Sequence, residues 1–242
     1  MENTIKRAQN PKRLFYDIIL SVLIPSFLLT RGEDFIDIDP VTLFFIALAF
    51  PTIYGLYDFI FNKYFNIISV LGFINTLLSG AVVIFELGKT FIVLKEAGFP
   101  LLIGLLLLYY KKSTTEFIRV ITDDILDKKK ILEKISENKL KKWYEQIAIR
   151  FIYPFFLSAI LNFIITYIII QSPVGTPEFN EEMGQLIVWG FIGIALPATI
   201  AIIIILFLGF KKLKLITKLE IDDILLSEEE IKKNQERNKK LG

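Results

Sequence analysis

Two stretches decide how this chain folds: FLSAILNFIITYIII at 156–170 and LIVWGFIGIALPATIAIIIILFLGF at 186–210. Neither carries a charged residue. A helix rises ~1.5 Å per residue, so ~20 apolar residues cross a hydrocarbon core of ~30 Å. Between the two lies SPVGTPEFNEEMG (172–184), with two prolines, two glycines and three glutamates. Pro173 and Pro177 restrict the backbone and Gly175 allows a positive φ, so the segment reads as a stiff reversal between two spans. Thr176 is a candidate N-cap, with Pro177 at N1 and Glu178 in the first turn. Thr176, Asn180, Glu181 and Glu182 are candidate residues of a gate or ligand lip. Ordinary capping at a membrane surface is the structural alternative.

Working outward, the same apolar pattern recurs along a chain of 242 residues with a mean hydropathy of +0.53. The predicted fold is all-α: a polytopic membrane protein with six transmembrane helices. Their spans are about 14–30, 40–61, 65–85, 91–110, 147–171 and 186–210, each bounded by charges or turn residues. One membrane domain covers 1–226, and 227–242 is a charged tail. The opening MENTIKRAQNPKRLFYDIILSVLIPSFLLT resembles a signal peptide in its basic start. Asp17 interrupts the apolar run and no small-residue cleavage site follows, so it is read as a retained span.

Lys and Arg set the orientation. With both termini, the turn at 62–64 and the loop at 111–146 on one side, that side holds all of the 28 Lys and Arg except Arg31, Lys89 and Lys95. Both termini are therefore predicted to be cytoplasmic. The opposite side is acidic, with Glu33, Asp34, Asp37 and Asp39 in one loop and the three glutamates of 172–184 in another. The 111–146 loop carries Ile118, Ile121, Ile125 and Leu132 near helical spacing, with lysines and the Trp143–Tyr144 pair. It suits an amphipathic helix at headgroup level, or a connector packed on the base of the bundle.

Much chemistry is excluded by composition. There is no histidine and no cysteine, so disulfides, thiol nucleophiles and Cys/His zinc sites are impossible. No phosphate-binding glycine loop, dinucleotide fingerprint or nucleophile elbow occurs. No catalytic constellation, cofactor site or metal site is predicted, and an intramembrane lipid enzyme would lack a nucleophile–base pair. DFIDID at 34–39 lacks the glycine and spacing of a calcium loop. The basic residues sit where membrane topology needs them, so no nucleic-acid partner is implied. The expected partners are membrane lipids and a small-molecule or lipid substrate.

Ionisable and amide residues inside the spans are the remaining candidates, because burying charge in lipid is costly. Lys95 and Glu96 lie in IVLKEAGFPLLIG, just before Pro100, which withdraws a donor from the preceding turn. They form either a proton or cation site or a structural pair with Lys95 snorkelling outward. Asp17 and Asp58 fall near span ends, within reach of Arg13 and Lys63. Asn75 and Asn162 lie inside spans and suit interhelical hydrogen bonds or ligand contact. Pro25, Pro51, Pro100, Pro154 and Pro197 place a proline in five of the six spans, which suggests kinked helices around a cavity. Finally, DDIL occurs at 123–126 and again at 222–225, each after an apolar span and a lysine pair. Spans three–four and five–six therefore form a candidate parallel repeat.

Two stretches, KEAGFPLLIG (95–104) and SPVGTPEFNEEMG (172–184), resemble signature segments of an uncharacterised group of bacterial inner-membrane proteins. Its members are variously named intracellular septation protein A-like proteins or transporters. The order PVTLFFIALAFPTIYGLYDFI, NIISVLGFINTLLSG, LSAILNFIITYIII, KLITKLEIDDIL is similar too, so the resemblance covers most of 14–226. Where the group has Ala-Ala-Ile in the first segment, this chain has Ala97-Gly98-Phe99. The resemblance implies six spans and a bacterial inner membrane, and it brings no substrate. Two functions stand: a small transporter or channel-like protein for a lipid, amphiphile or small solute, and a non-enzymatic cell-envelope or division-associated scaffold.

Overall fold

The computed structural model describes residues 19–62, 67–123 and 125–227. The described chain is helical throughout, apart from turns and one isolated backbone bridge. A π turn at Ile19–Leu23 leads into α1 (Ile24–Arg31), followed by α2 (Pro40–Asn62), α3 (Ile67–Ile84) and α4 (Lys89–Tyr109). Three shorter helices follow: α5 (Lys111–Asp123), α6 (Lys128–Lys134) and α7 (Glu137–Arg150). Then come α8 (Tyr153–Ile169), α9 (Pro177–Trp189), a π segment at Gly190–Ala195, α10 (Leu196–Thr217) and the single turn α11 (Ile221–Ile224).

Among the described residues, four stretches are long and apolar enough to cross a membrane: Pro40–Tyr57, Lys89–Tyr109, Glu137–Ile169 and Pro177–Thr217. Between 11% and 28% of their most apolar windows is buried inside the protein. Most of this apolar surface therefore faces outward, which suits lipid rather than water. The last stretch runs 41 residues, about twice what a hydrocarbon core needs. Its ends are polar: Glu178, Glu181 and Glu182 at one, Lys211, Lys212 and Lys214 at the other. Of the remaining two expected spans, residues 14–18 lie outside the described set, while α3 supplies an 18-residue helix.

The helix breaks have a common cause. Proline has no N–H, and its ring clashes with the carbonyl four residues back. The π turn at Ile19–Leu23 directly precedes the start of α1 with Pro25, and the π segment at Gly190–Ala195 directly precedes α10 with Pro197. Pro154 follows a two-residue turn between α7 and α8. Pro51 and Pro100 lie inside continuous helices.

The described chain divides into two compact units, one within Met1–Phe99 and Ser158–Leu196, the other within Pro100–Leu157 and Pro197–Gly242. The first packs Leu29, Phe44, Ala47, Val82, Val83, Ile92, Ile170, Phe179, Met183 and Leu186 into one core. Asp39 caps α2, accepting from the backbone N–H and hydroxyl of Thr42, and these bonds hold its carboxyl below the usual carboxylate range. α1 and α9 cross at Gly184, where Ser26 Oγ donates to the Gly184 carbonyl at 2.9 Å.

The second unit centres on Trp143, Tyr144, Ile147, Leu213 and Ile224. Trp143 Nε1 donates to the Gly209 carbonyl at 2.8 Å, and the Tyr144 hydroxyl donates to Asp123 at 2.6 Å. Both rings are buried, so this aromatic pair is core rather than a headgroup-level anchor. α5 buries Thr114, Ile118 and Thr122, while Phe117, Val120 and Ile121 remain exposed.

The two DDIL segments meet in this unit. Leu126 stands opposite Leu225 in an antiparallel bridge. Asp127 N–H donates to the Ile224 carbonyl at 2.8 Å, and Leu226 N–H to the Ile125 carbonyl at 2.9 Å. The register that lays one DDIL on the other carries Ile125 onto Ile224 and Asp127 onto Leu226, so it exchanges the two bonds. The pairing is locally two-fold. Asp124 lies outside the described residues.

The α1–α9 crossing can be tested through Gly184. A Cβ there would stand 2.6 Å from Thr30 Cγ2 and 2.9 Å from the Ser26 carbonyl oxygen, a backbone atom that cannot swing aside. Gly184→Ala is expected to lower thermal stability in detergent, at a cost of about 1–3 kcal/mol. Gly98→Ala meets nothing within 4 Å and should leave the melting temperature unchanged or raise it.

Candidate functional site

The first unit holds a partly open cavity of about 270 Å³. α1 contributes Pro25 and Leu29, and α2 contributes Phe44, Ala47, Leu48 and Pro51. α9 supplies Met183, Leu186 and Ile187, and the π segment supplies Gly190 and Ile194. The wall is thus apolar over most of its extent. It carries three polar side chains, one from each of three helices: Ser79 from α3, Glu96 from α4 and Asn162 from α8.

The irregular turns help to shape this space. Pro51 has no N–H to offer the carbonyl four residues back, that of Ala47, and both residues line the cavity. The π segment widens the helix at Gly190 and Ile194, on the same wall.

Lys95 and Glu96 form an ion pair, Nζ to Oε1, at 2.6 Å. Lys95 Nζ also donates to Ser79 Oγ at 2.7 Å. The lysine side chain is 3% exposed and the glutamate 20%, so Lys95 does not snorkel outward; the anion is the more accessible member of the pair. Glu96 lies two turns into α4, about 10 Å along the axis from Lys89. An ammonium and a carboxylate are tolerated there because each neutralises the other and the hydroxyl completes the lysine's bonding. Asn162 Nδ2 donates to the Ser158 carbonyl at 2.8 Å, within its own helix. That bond commits one amide proton and leaves Oδ1 as the acceptor Asn162 has to offer.

The 172–184 segment is held by a different set of bonds. Gly175 takes φ +86°, as a reversal at this point needs. Thr176 Oγ1 accepts from the Phe179 N–H at 3.2 Å and so caps α9, with Pro177 in the first turn. Glu182 accepts from the backbone N–H of Gln171 and of Ser172, both at 2.9 Å, and from the Ser172 hydroxyl at 2.8 Å. Its carboxylate thereby closes the end of α8 onto α9. Asn180 is buried and donates to the Pro40 carbonyl at 2.8 Å, while its Oδ1 finds no hydrogen-bond partner among the described residues. Glu181 is exposed and accepts from Gln185. Thr176, Asn180 and Glu182 thus join chain segments together, and none of the four lines the cavity.

Of the other sequence candidates, Asp17 lies outside the described residues. Asp58 and Asn75 fall on α2 and α3, with their side chains outside the described set. Ser79 was not singled out from the sequence. A serine in an apolar run is ordinary, and only the separation of 16 positions from Lys95, bridged in space, gives it a role.

Comparison with known proteins finds no matching family model, no matching curated sequence and no matching solved structure. What the cavity can do therefore follows from its own chemistry.

The Lys95–Glu96 pair makes a non-additive prediction. Removing one partner leaves a buried charge alone, which costs about 3–5 kcal/mol, whereas removing both costs little. Lys95→Met alone should sharply lower the melting temperature in detergent. Lys95→Met combined with Glu96→Gln should melt nearer the wild type. Additive losses would mean that the two side chains are not coupled.

Proposed function

We propose that this chain is a six-span protein of the bacterial inner membrane, with both termini in the cytoplasm, that acts as a small transporter or channel-like protein. Its cargo would be a lipid, an amphiphile or a small solute. The observation that carries this reading is the cavity. A mainly apolar space with one carboxylate, one amide and one hydroxyl converging from three helices has the make-up of a small-molecule site. The prolines and the π segment on its wall add to the case, since turns that depart from regular helix are places where a transport path can bend or open. The strong Lys and Arg asymmetry supports the orientation.

A second reading, a non-enzymatic envelope or division-associated scaffold, has its own observation. α5 leaves Phe117, Val120 and Ile121 exposed beside its packed face, and such a face can receive another protein.

Proteoliposomes separate the two. Three poorly permeant probes with aromatic bodies suit the cavity: benzyltrimethylammonium, phenyl glucoside and benzenesulfonate. At least one should cross faster than in empty liposomes, and Ala47→Trp, which fills the cavity, should cut that flux about tenfold or more. Flux that keeps its pH dependence in Glu96→Gln would remove Glu96 as a proton site. If none of the probes crosses, the scaffold reading replaces transport.

The orientation has a separate test, because the chain has no cysteine to give background labelling. In intact cells, an impermeant maleimide should label Gln185→Cys at once and Lys141→Cys only after permeabilisation. The opposite pattern would invert the topology.

A further inference from the structure

The polar wall of the cavity carries one carboxylate, from Glu96, and two neutral side chains, the Asn162 amide and the Ser79 hydroxyl. Among the described residues no lysine or arginine lines it. Glu96 presents a carboxylate, and Asn162, with one amide proton committed to Ser158, keeps an acceptor oxygen and a second amide proton. The lysine that neutralises Glu96 stands behind it: Lys95 is nearly fully buried and is not part of the lining, whereas Glu96 is partly exposed and is. The ion pair is therefore oriented, with its negative end toward the space. One carboxylate oxygen, Oε1, receives Lys95, and an ionised carboxylate has further lone pairs for a second donor.

The protein also shows how an ammonium is held at this position. Lys95 Nζ is itself an alkylammonium, bonded by Glu96 Oε1 at 2.6 Å and Ser79 Oγ at 2.7 Å at the end of an apolar stem. A ligand with the same chemistry would find the same carboxylate from the cavity side.

We infer that the cavity takes a compact amphiphile with an apolar body and a single cationic, ammonium-type head, and that Glu96 is the group that receives the head. This deepens the transport reading and rests on it. The body would lie against Phe44, Ala47, Met183 and Leu186. The space, about 270 Å³, is on the scale of a small-molecule site rather than of a whole lipid. An anionic head would face the carboxylate, while Lys95, which pairs with Glu96, stands outside the lining. A strongly hydrated neutral head would find acceptors but no charge to offset its desolvation. The ligand and Lys95 compete for the same carboxylate, which gives the proposal a sign that a packing role for Lys95 does not share.

Binding to the full chain in phosphatidylcholine nanodiscs tests this, with empty nanodiscs subtracted. Benzyltrimethylammonium should bind saturably, and benzenesulfonate and phenyl glucoside at least about tenfold more weakly. Glu96→Gln should weaken the cation about 10- to 100-fold, and Glu96→Asp should keep part of the affinity. Lys95→Gln should bind the cation more tightly than wild type. Should Glu96→Gln fail to fold, the Lys95→Gln arm and the comparison of the three probes on the wild type still decide the matter.

Equal binding of anion and cation, or wild-type cation affinity in a folded Glu96→Gln, overturns the inference. Adding phosphatidylethanolamine to the nanodiscs separates two sources of the same head. Competition with the probe points to a lipid amine as the natural occupant, and its absence to a free amine. Flux of the sulfonate or glucoside without binding of the cation would sink this inference and leave transport standing. Saturable cation binding without any flux would do the reverse.

Discussion

Backbone satisfaction in an apolar medium is the constraint from which this structure follows. Helices that expose this much leucine, isoleucine and phenylalanine suit lipid, and lipid offers no partner to an unpaired N–H or C=O. The described chain answers with helices almost everywhere and brief connections between them. Where a donor is missing, the geometry shifts locally. A π turn or a tight turn precedes Pro25, Pro154 and Pro197, while Pro51 sits within unbroken helix and leaves the Ala47 carbonyl without its intrahelical donor. The polar ends of the helices are closed by side chains, Asp39 and Thr176 as caps and Glu182 as an acceptor for two successive backbone N–H groups. The same constraint accounts for Lys95 and Glu96. Charge at this depth persists only as a bonded pair, and the pair has its hydroxyl partner in Ser79.

How much of this was legible in the sequence depends on whether the signal was local. Thr176, Pro177 and Glu178 form a helix start by adjacency alone, and Gly175 in a proline-flanked reversal announces its own backbone conformation. Apolar runs placed α2, α3 and α4 within two residues of their ends. The runs at 147–171 and 186–210 fall instead in longer, interrupted stretches, Glu137–Ile169 and Pro177–Thr217, whose polar first turns the apolar pattern does not mark. Trp143 and Tyr144 were harder. In a lysine-rich stretch, an aromatic pair suits a headgroup-level helix equally well, and only the arrival of Gly209 and Asp123 as hydrogen-bond partners makes the pair core. Gly209 lies far along the chain, in α10, so no window of sequence contains both ends of that bond.

The cavity shows the same limit from the other side. Glu96 and Asn162 drew notice singly, because polar groups in apolar helices are expensive. Ser79 did not, since a serine's hydroxyl can bond back to its own helix at little cost. The sequence could say that such residues needed partners. Which helices converge, and that the partners sit around one space, are long-range facts. Pro51 and the π segment are read as local irregularities along the chain, yet they share one wall.

The DDIL pairing meets the same backbone constraint outside the candidate spans. Two copies of a short motif related by a local two-fold satisfy each other's backbone: each copy donates one N–H and accepts one in return. Neither copy could do this alone, because an isolated strand-like residue pair at a helix end leaves its donors and acceptors unmet. The side chains reinforce the match, with Leu126 and Ile224 fully packed in the core of the second unit and Lys130 bridging Asp127 and Asp223. Exchange of two backbone bonds is what any antiparallel bridge provides, so the pairing accounts for how the two segments are held together, not for the origin of the repeat.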